Sequence, residues 1–308
     1  MRFIDEHKDR FGVQPICRVL AEHGAPIAPS TYYAATARPA SPRAVRDERL
    51  KAEILRVWTA NFAVYGAFKV WRELNRQGIG VARCTVERLM RQLGIAGVRR
   101  GKKIRTTVRD DRHQRAADLL GRAFTAPAPN RRWVADFTHV AAWSAVVYVA
   151  FVVDVYSRAI VGWAAATSKQ TKLVLDALQM ALWRRERAGQ PVTNTGLVHH
   201  SDAGSQYTSF AFTAHLLAAG IDASIGSVGD ALDNALMEST IGLYKTELIK
   251  RRGPWKTLAD VELATAEWVD WYNTSRIHRA IGGGVPPAEY ESKFYAQPQP
   301  QPAAGANT

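Results

Sequence analysis

Apolar residues recur along this chain with two different periods, and the change from one to the other divides it. Up to about residue 95 the spacing is helical. Val13, Ile16, Cys17 and Leu20 share one helical face until Gly24 and Pro26 break it, and Ser30 is placed to cap a second helix through Tyr32 and Tyr33. Pro39, Ser41 and Pro42 mark residues 38–45 as a linker. A longer amphipathic helix is predicted over 44–60, with Leu50, Ile54 and Val57 on one side. Phe68, Val70, Trp71 and Leu74 form the next face, Gln77-Gly78 ends it, and Val86, Leu89, Met90 and Leu93 form another over 85–93. Two short helices about a glycine turn describe a helix-turn-helix. Its second helix would enter the major groove with Arg83, Glu87, Arg88 and Arg91 on its polar side. Ala82 stands where a capping Ser or Thr would suit that helix better.

Beyond residue 131 the pattern becomes that of buried strands, predicted over 132–138, 146–154 and 159–165. A helix over 171–188 is stopped by Gly189 and Pro191. A strand at 197–201, a helix at 209–219 ended by Gly220, a short strand at 221–225 and helices at 234–249 and 258–273 complete the region. Three strands followed by alternating helices and strands indicate an α/β domain with a mixed sheet. The organisation is therefore a helix-turn-helix-like segment (1–37), a helical helix-turn-helix domain (44–100), a basic, proline-rich linker (101–130), an α/β domain (131–295) and a disordered Gln/Pro tail (296–308).

Charge sharpens this division. Of the net +13, all lies in the first part: residues 1–130 carry 25 Lys+Arg against 12 Asp+Glu, and the remainder 16 against 16. Basic charge confined to one half suggests a polyanion-binding module joined to a neutral one that does something else. The linker opens on Arg99, Arg100, Lys102 and Lys103, a run able to track a phosphate backbone. Membrane is the less suitable polyanion, because no apolar run approaches the ~20 residues of a spanning helix, and the charged start of the chain is unlike a signal peptide. Cys17 and Cys84, far apart in helical patterns, are expected as core or half-buried thiols and form neither a disulfide framework nor a zinc knuckle.

Three carboxylates carry the chemistry. Asp136 interrupts the strand Trp133–Thr138, Asp202 directly follows the strand at 197–201, and Glu238 lies near the start of the helix at 234–249. Brought together they would repel one another unless a cation neutralised them, so convergence implies a divalent metal. All-oxygen ligation favours Mg²⁺ or Mn²⁺ over zinc. Asp154, at a turn, is expected to brace Ser157 or Arg158. Asp233 and Asn234 are expected to cap the helix bearing Glu238. Lys245, seven residues after Glu238, falls on the same helical face about 10 Å along the axis, whereas Glu247 falls on the opposite one. His199 and His200, adjacent on a strand, point to opposite faces and cannot share one metal.

Asp136, Asp202 and Glu238, with thirty-five residues between the last two, resemble the catalytic triad of DDE transposases and retroviral integrases. The words His200-Ser201-Asp202-Ala203-Gly204-Ser205-Gln206-Tyr207, Asp233 through Glu247 and Trp271 through Arg279 narrow the resemblance to the OrfB transposase of the IS-three family of bacterial insertion sequences, from Met1 to about Glu291. The resemblance implies an RNase H-like fold, two Mg²⁺ ions with Mn²⁺ substituting, Asp136 bridging both ions, and Asp202 and Glu238 each completing one coordination sphere. It also implies a contact of Lys245 with transposon-end DNA, with Tyr244 a weaker candidate for that surface, and supporting roles for His200 and Gln206. Asn273, Arg276 and His278 match a C-terminal motif for which core packing and DNA contact are both open. The implied partners are terminal inverted repeats and target DNA, a second copy of the chain, and an upstream OrfA protein or a frameshift fusion to it. The implied location is the bacterial cytoplasm, at the nucleoid. An inactive DNA-binding regulator and a metal-dependent nuclease without strand transfer are the alternatives. Nothing here matches the His/Cys zinc domain of the retroviral enzymes.

Overall fold

The computed structural model describes residues 1–99, 125–192, 195–201, 206–207, 209–225 and 235–297. Helices α1 (Arg2–Phe11), α2 (Val13–Glu22) and α3 (Pro29–Ala37) come first. They enclose a small core of Ile4, Val13, Ile16, Cys17 and Tyr32, and the Tyr32 hydroxyl donates to Asp5 at 2.6 Å. α1 lies ahead of the first apolar repeat and was not expected. Gly12, at φ 77°, divides it from α2. Ser30 does not cap α3: Ala28 takes that position, because Pro29, with its fixed φ and missing N–H, suits the first helical turn.

α4 (Pro42–Ala60) starts inside the expected linker, where Ser41 accepts the Ala44 N–H at 3.2 Å. α5 (Ala67–Arg76) and α6 (Arg83–Gln92) form the helix pair, and Leu50, Ile54, Val57, Val70, Leu74, Val86, Leu89 and Met90 are buried between the three helices. Cys17 is buried but Cys84 is exposed, correcting the expectation for that thiol. Two residues before Val86, it points to the opposite side of α6.

Strands β1 (Arg132–Ala141), β2 (Val146–Asp154), β3 (Ile160–Ala166), β4 (Val198–Ser201) and β5 (Asp222–Ile225) form one sheet in the order β3-β2-β1-β4-β5. β1 pairs antiparallel with β2 and β2 with β3, while β4 runs parallel to both β1 and β5. This is the mixed sheet of an RNase H-like fold. One face carries Trp133, Ala135, Ala150, Val152 and Val161 against α7 (Thr171–Arg187) and α8 (Phe210–Ala218). α7 approaches so closely that a Cβ on Gly162 would meet the Ala177 carbonyl oxygen at 2.1 Å.

The opposite face carries Val134, Val149, Phe151 and Val153 against α9 (Ala235–Tyr244) and, after a π-helical segment (Lys245–Ile249) and the short α10 (Lys250–Arg252), α11 (Leu258–Thr274). Thr257 and Asp260 close a reciprocal capping box at the start of α11. α12 (Pro287–Ala296) is a further helix that periodicity did not reveal. The tail from residue 298 and most of the expected linker lie outside the described residues.

This second core also includes Leu50, Tyr65, Val70 and Leu89, so α4–α6 are packed onto α11 and the segment after it. The Trp271 indole donates to Asn61 at 3.0 Å, and Arg76 pairs with Glu289 at 2.6 Å. The Tyr65 hydroxyl accepts the Ile277 N–H at 2.8 Å and donates to the Ser275 carbonyl at 3.2 Å. Among the described residues no helix is long and apolar enough to cross a membrane.

Candidate active site

Strand alternation decides where Asp136 points. Trp133 and Ala135 belong to the α7 face and Val134 and Val140 to the α9 face, so Asp136 shares the α9 face. It is half-buried, and its Oδ1 accepts the Phe137 N–H at 2.7 Å. The parallel pairing of β1 with β4 ends at Ala135 opposite Ser201, one residue before Asp136 on one strand and one before Asp202 on the other. Asp202 itself lies outside the described residues, as does Asn234.

Glu238 is half-buried on α9, which packs across β1 with Met237 and Tyr244 sunk into the core beside Val134. At Lys245 the helix widens into its π segment, a change that apolar spacing did not signal. Burial and the nearby charge of Lys250 pull the Lys245 ammonium down from its ordinary pKa, while the Asp136 carboxylate pulls it up. Lys245 is thus within electrostatic reach of Asp136. Glu247 points the other way and is buried, accepting two hydrogen bonds from Arg276 at 2.8 and 2.6 Å. Arg276 also lies within 3.4 Å of His278, whose ring stands edge-on to Tyr272. Asn273 bonds both the N–H and the carbonyl of Ile160 at 2.9 Å. The C-terminal motif therefore packs against the core.

Tyr244 requires a correction. Its ring is fully buried between Phe151 and Trp268, and its hydroxyl pairs with Thr265 at 2.8 Å, so it offers no surface to DNA. His200 is buried beside Ser224, with Nδ1 and Oγ 3.0 Å apart. His199 faces the other core against Phe212, where burial first and His200 second push its pKa down to about 4. Gln206 lines an open groove of about 570 Å³ with Lys169, Gln170, Thr171 and Lys172. Asp154 is engaged by the Asn130 N–H and by the Ser157 N–H and hydroxyl at 2.7–2.9 Å, and braces that turn. Among the described residues no three metal-ligating side chains cluster.

In the helix pair, Arg83 bridges to Glu87 at 2.8 Å and Arg88 ties α6 to Asp47 of α4 at 2.9 Å. Arg91 and Arg99 are exposed, while Arg100, Lys102 and Lys103 lie outside the described residues. Lys250, which acts on Lys245, was missed in the sequence. The signal was the run Lys250-Arg251-Arg252 directly after a helix.

Two integrase core domain models match residues 126–231 and 219–287, and an HTH-like domain model matches residues 45–103. The chain is 54% identical over 280 residues to a putative transposase for insertion sequence element IS986/IS6110 of Mycobacterium tuberculosis, spanning 91% of this chain and 100% of the relative. It is 50% identical over 301 residues to the transposase for IS629 of Shigella sonnei, spanning 96% and 97%. Transposase InsF for insertion sequence IS3A of Escherichia coli is 30% identical over 298 residues, spanning 96% and 99%. The HTLV-2 integrase catalytic core domain, solved in complex with magnesium, aligns over 54% of this chain and 98% of its own with 18% identity and a TM-score of 0.40. Matched along nearly its whole length by such relatives, the chain belongs to the IS-three family of insertion-sequence transposases, with an HTH-like DNA-binding region ahead of an integrase catalytic core.

Proposed function

We propose that this transposase binds the terminal inverted repeats of its element, cuts the strands at those ends and joins them to target DNA, with Asp136, Asp202 and Glu238 as its catalytic carboxylates. The observation that supports the reading is the α9 face of the sheet, where Asp136 lies on the strand that the Glu238-bearing helix packs across, with Lys245 within electrostatic reach of Asp136. Half-buried carboxylates are a hard, all-oxygen donor set, which fits Mg²⁺ with Mn²⁺ as substitute. Asp136, Asp202 and Glu238 would hold two such ions. Bound there, divalent cations would acidify the attacking water or 3′-hydroxyl and neutralise charge on the reacting phosphate. Asp136 is fixed by the Phe137 N–H and by its pairing with Phe151 of β2, one residue past the end of the β1–β4 ladder, so the site is anchored on the central strand. Lys245 supplies a cation to the backbone of the bound end.

The affinity for DNA resides in the basic first part of the chain, where Arg91, Arg99, Arg100, Lys102 and Lys103 are the phosphate contacts of this reading. Arg83 and Arg88 contribute less because each already pairs with a carboxylate. Holding two ends together calls for a dimer or larger assembly on DNA, and an OrfA protein or fusion is the further partner. The bacterial nucleoid is the place where such substrates lie. The test is end cleavage by Asp136→Asn, Asp202→Asn and Glu238→Gln proteins in Mg²⁺: each loses cleavage and keeps end binding. Retention of more than a few per cent of wild-type cleavage by any one removes that residue from the site.

A further inference from the structure

We propose that the β1–β2 hairpin tip and the basic run after the π-helical segment form a second DNA contact, in which the Trp143 ring stacks on a base about seven base pairs from the scissile phosphate. This rests on the strand-transfer reading above and adds to it a site and a register.

Trp143 is 73% exposed, more than any other aromatic side chain among the described residues. The hairpin does not require it. The turn closes through the Ala142 N–H to the Ala145 carbonyl at 3.2 Å, and the tip is pinned by the Trp143 N–H to the Trp255 carbonyl at 3.0 Å and the Ser144 N–H to the Lys256 carbonyl at 3.1 Å. Any residue but proline could make these backbone bonds. Trp255, in turn, is buried and donates its indole N–H to the Ile249 carbonyl at 3.2 Å. A large apolar ring thus stands in water on a pinned backbone, just past the end of the strand that carries Asp136.

On the segment that pins the tip the charge is net positive, with Lys250, Arg251, Arg252 and Lys256 against Asp260. Lys250, Arg251 and Lys256 are exposed, whereas Arg252 is already paired with Glu267. Asp260, the acidic residue nearest in sequence, is engaged by the Lys256 and Thr257 N–H groups at 3.2 and 3.0 Å. Ile249, whose carbonyl accepts the Trp255 indole N–H, directly precedes Lys250, so the basic run begins beside the residue that pins the tip. Cations for phosphates beside a rigid π-face for a base are the two elements of a nucleic-acid stacking surface.

The register follows from the strand. Trp143 is seven residues beyond Asp136, about 23 Å along an extended chain at about 3.3 Å per residue. DNA rises about 3.4 Å per base pair, so for a duplex lying along β1, the orientation this proposal adopts, the tip reaches about seven pairs from the reacting phosphate. Paired bases hide their faces, so stacking requires an opened step, as with other apolar side chains that enter base steps.

The experiment uses the full chain with Asp136→Asn, which binds without cutting. Affinity is measured for end-containing duplexes carrying a two-nucleotide unpaired patch five to nine pairs from the cleavage position, on the element side in one series and the flanking side in the other. The parent protein should prefer a patch near seven pairs, and the series that shows the preference identifies the side. Adding Trp143→Ala should weaken binding to that duplex by about five- to 150-fold and abolish the preference, while Trp143→Phe keeps most of it. Lys250→Gln with Arg251→Gln and Lys256→Gln should weaken patched and paired duplexes alike and flatten the salt dependence by about 0.9 per lost phosphate contact. Equal binding of both duplexes by the Trp143→Ala and parent proteins overturns the proposal alone. A change in self-association by light scattering without loss of DNA affinity also overturns it, in favour of a protein interface. A parent that fails to bind end DNA at all overturns the strand-transfer reading as well.

Discussion

Glu247→Gln removes one charge from a buried pair and keeps its shape. The side chains of Arg276 and Glu247 are 6% and 8% exposed, and the two hydrogen bonds between them measure 2.8 and 2.6 Å. Little solvent screens them, so the guanidinium would be left almost uncompensated in the core, a loss of about 3–5 kcal/mol. For a cooperative unit of 150–250 residues each kcal/mol moves the melting temperature by about 2–4 °C, so a fall of about 6–20 °C is expected. Thermal unfolding followed by circular dichroism at pH 7 measures it. Glu247→Leu combined with Arg276→Met removes both charges and should recover most of the loss, because the pair itself is close to neutral for stability. The pair also anchors the π-helical segment from which Lys245 projects, so Glu247→Gln should slow end cleavage beyond its effect on folded fraction. A melting temperature within about 2 °C of wild type for Glu247→Gln would refute the argument that this pair is a desolvated lock.

Three further outcomes follow from the same geometry. His199 is depressed to about 4 by burial and by His200, so the unfolded chain takes up its proton first as pH falls below about 6.5. Stability carried by the neutral ring is present above that value and lost between about 6.5 and 4, amounting to about 3 kcal/mol. His199→Phe should flatten the melting temperature across that window, and an unchanged slope would contradict the assignment. Tyr65→Phe leaves the buried Ile277 N–H without its acceptor, at about 1–3 kcal/mol, and should lower the melting temperature of the packed domains together; early melting of the helical domain alone would show that they are not one unit. Lys245→Ala should slow cleavage of end-containing duplexes about ten- to a hundredfold through loss of a charge-assisted contact, with Lys245→Arg recovering part. Equal rates for Lys245→Ala and wild type would reduce the lysine to a solvated helical residue.

The strands could be read in the sequence because β1, β2 and β3 are buried on both faces and so appear as long apolar runs closed by turn residues. α12 could not, since its inward side, Pro287, Tyr290, Glu291 and Phe294, has a buried glutamate in the middle that breaks the apolar pattern. The docking of α4–α6 on α11 escaped for another reason. Tyr65 meets Ile277 across 212 positions, and no local pattern records such a pairing. Charge distribution suggested two modules; Asn61, Tyr65 and Trp271 join them in one core. The burial of Tyr244 is legible in helix geometry. Six residues beyond Glu238, it lies about 120° round the helix from it, on the side that enters the core. The π segment after it had no signal in residue type, and it is there that Lys245 and Glu247 take opposite sides.

Metal-dependent strand transfer by Asp136, Asp202 and Glu238, on DNA held by the rest of the chain, is the activity at stake. Its most direct measurement is covalent joining of a labelled inverted-repeat duplex to a target plasmid in Mg²⁺, by wild-type and Asp136→Asn proteins matched for end binding. Joined product from the wild type, none from Asp136→Asn and none from either after chelation is the predicted result. Joined product from Asp136→Asn at the wild-type rate would contradict the account.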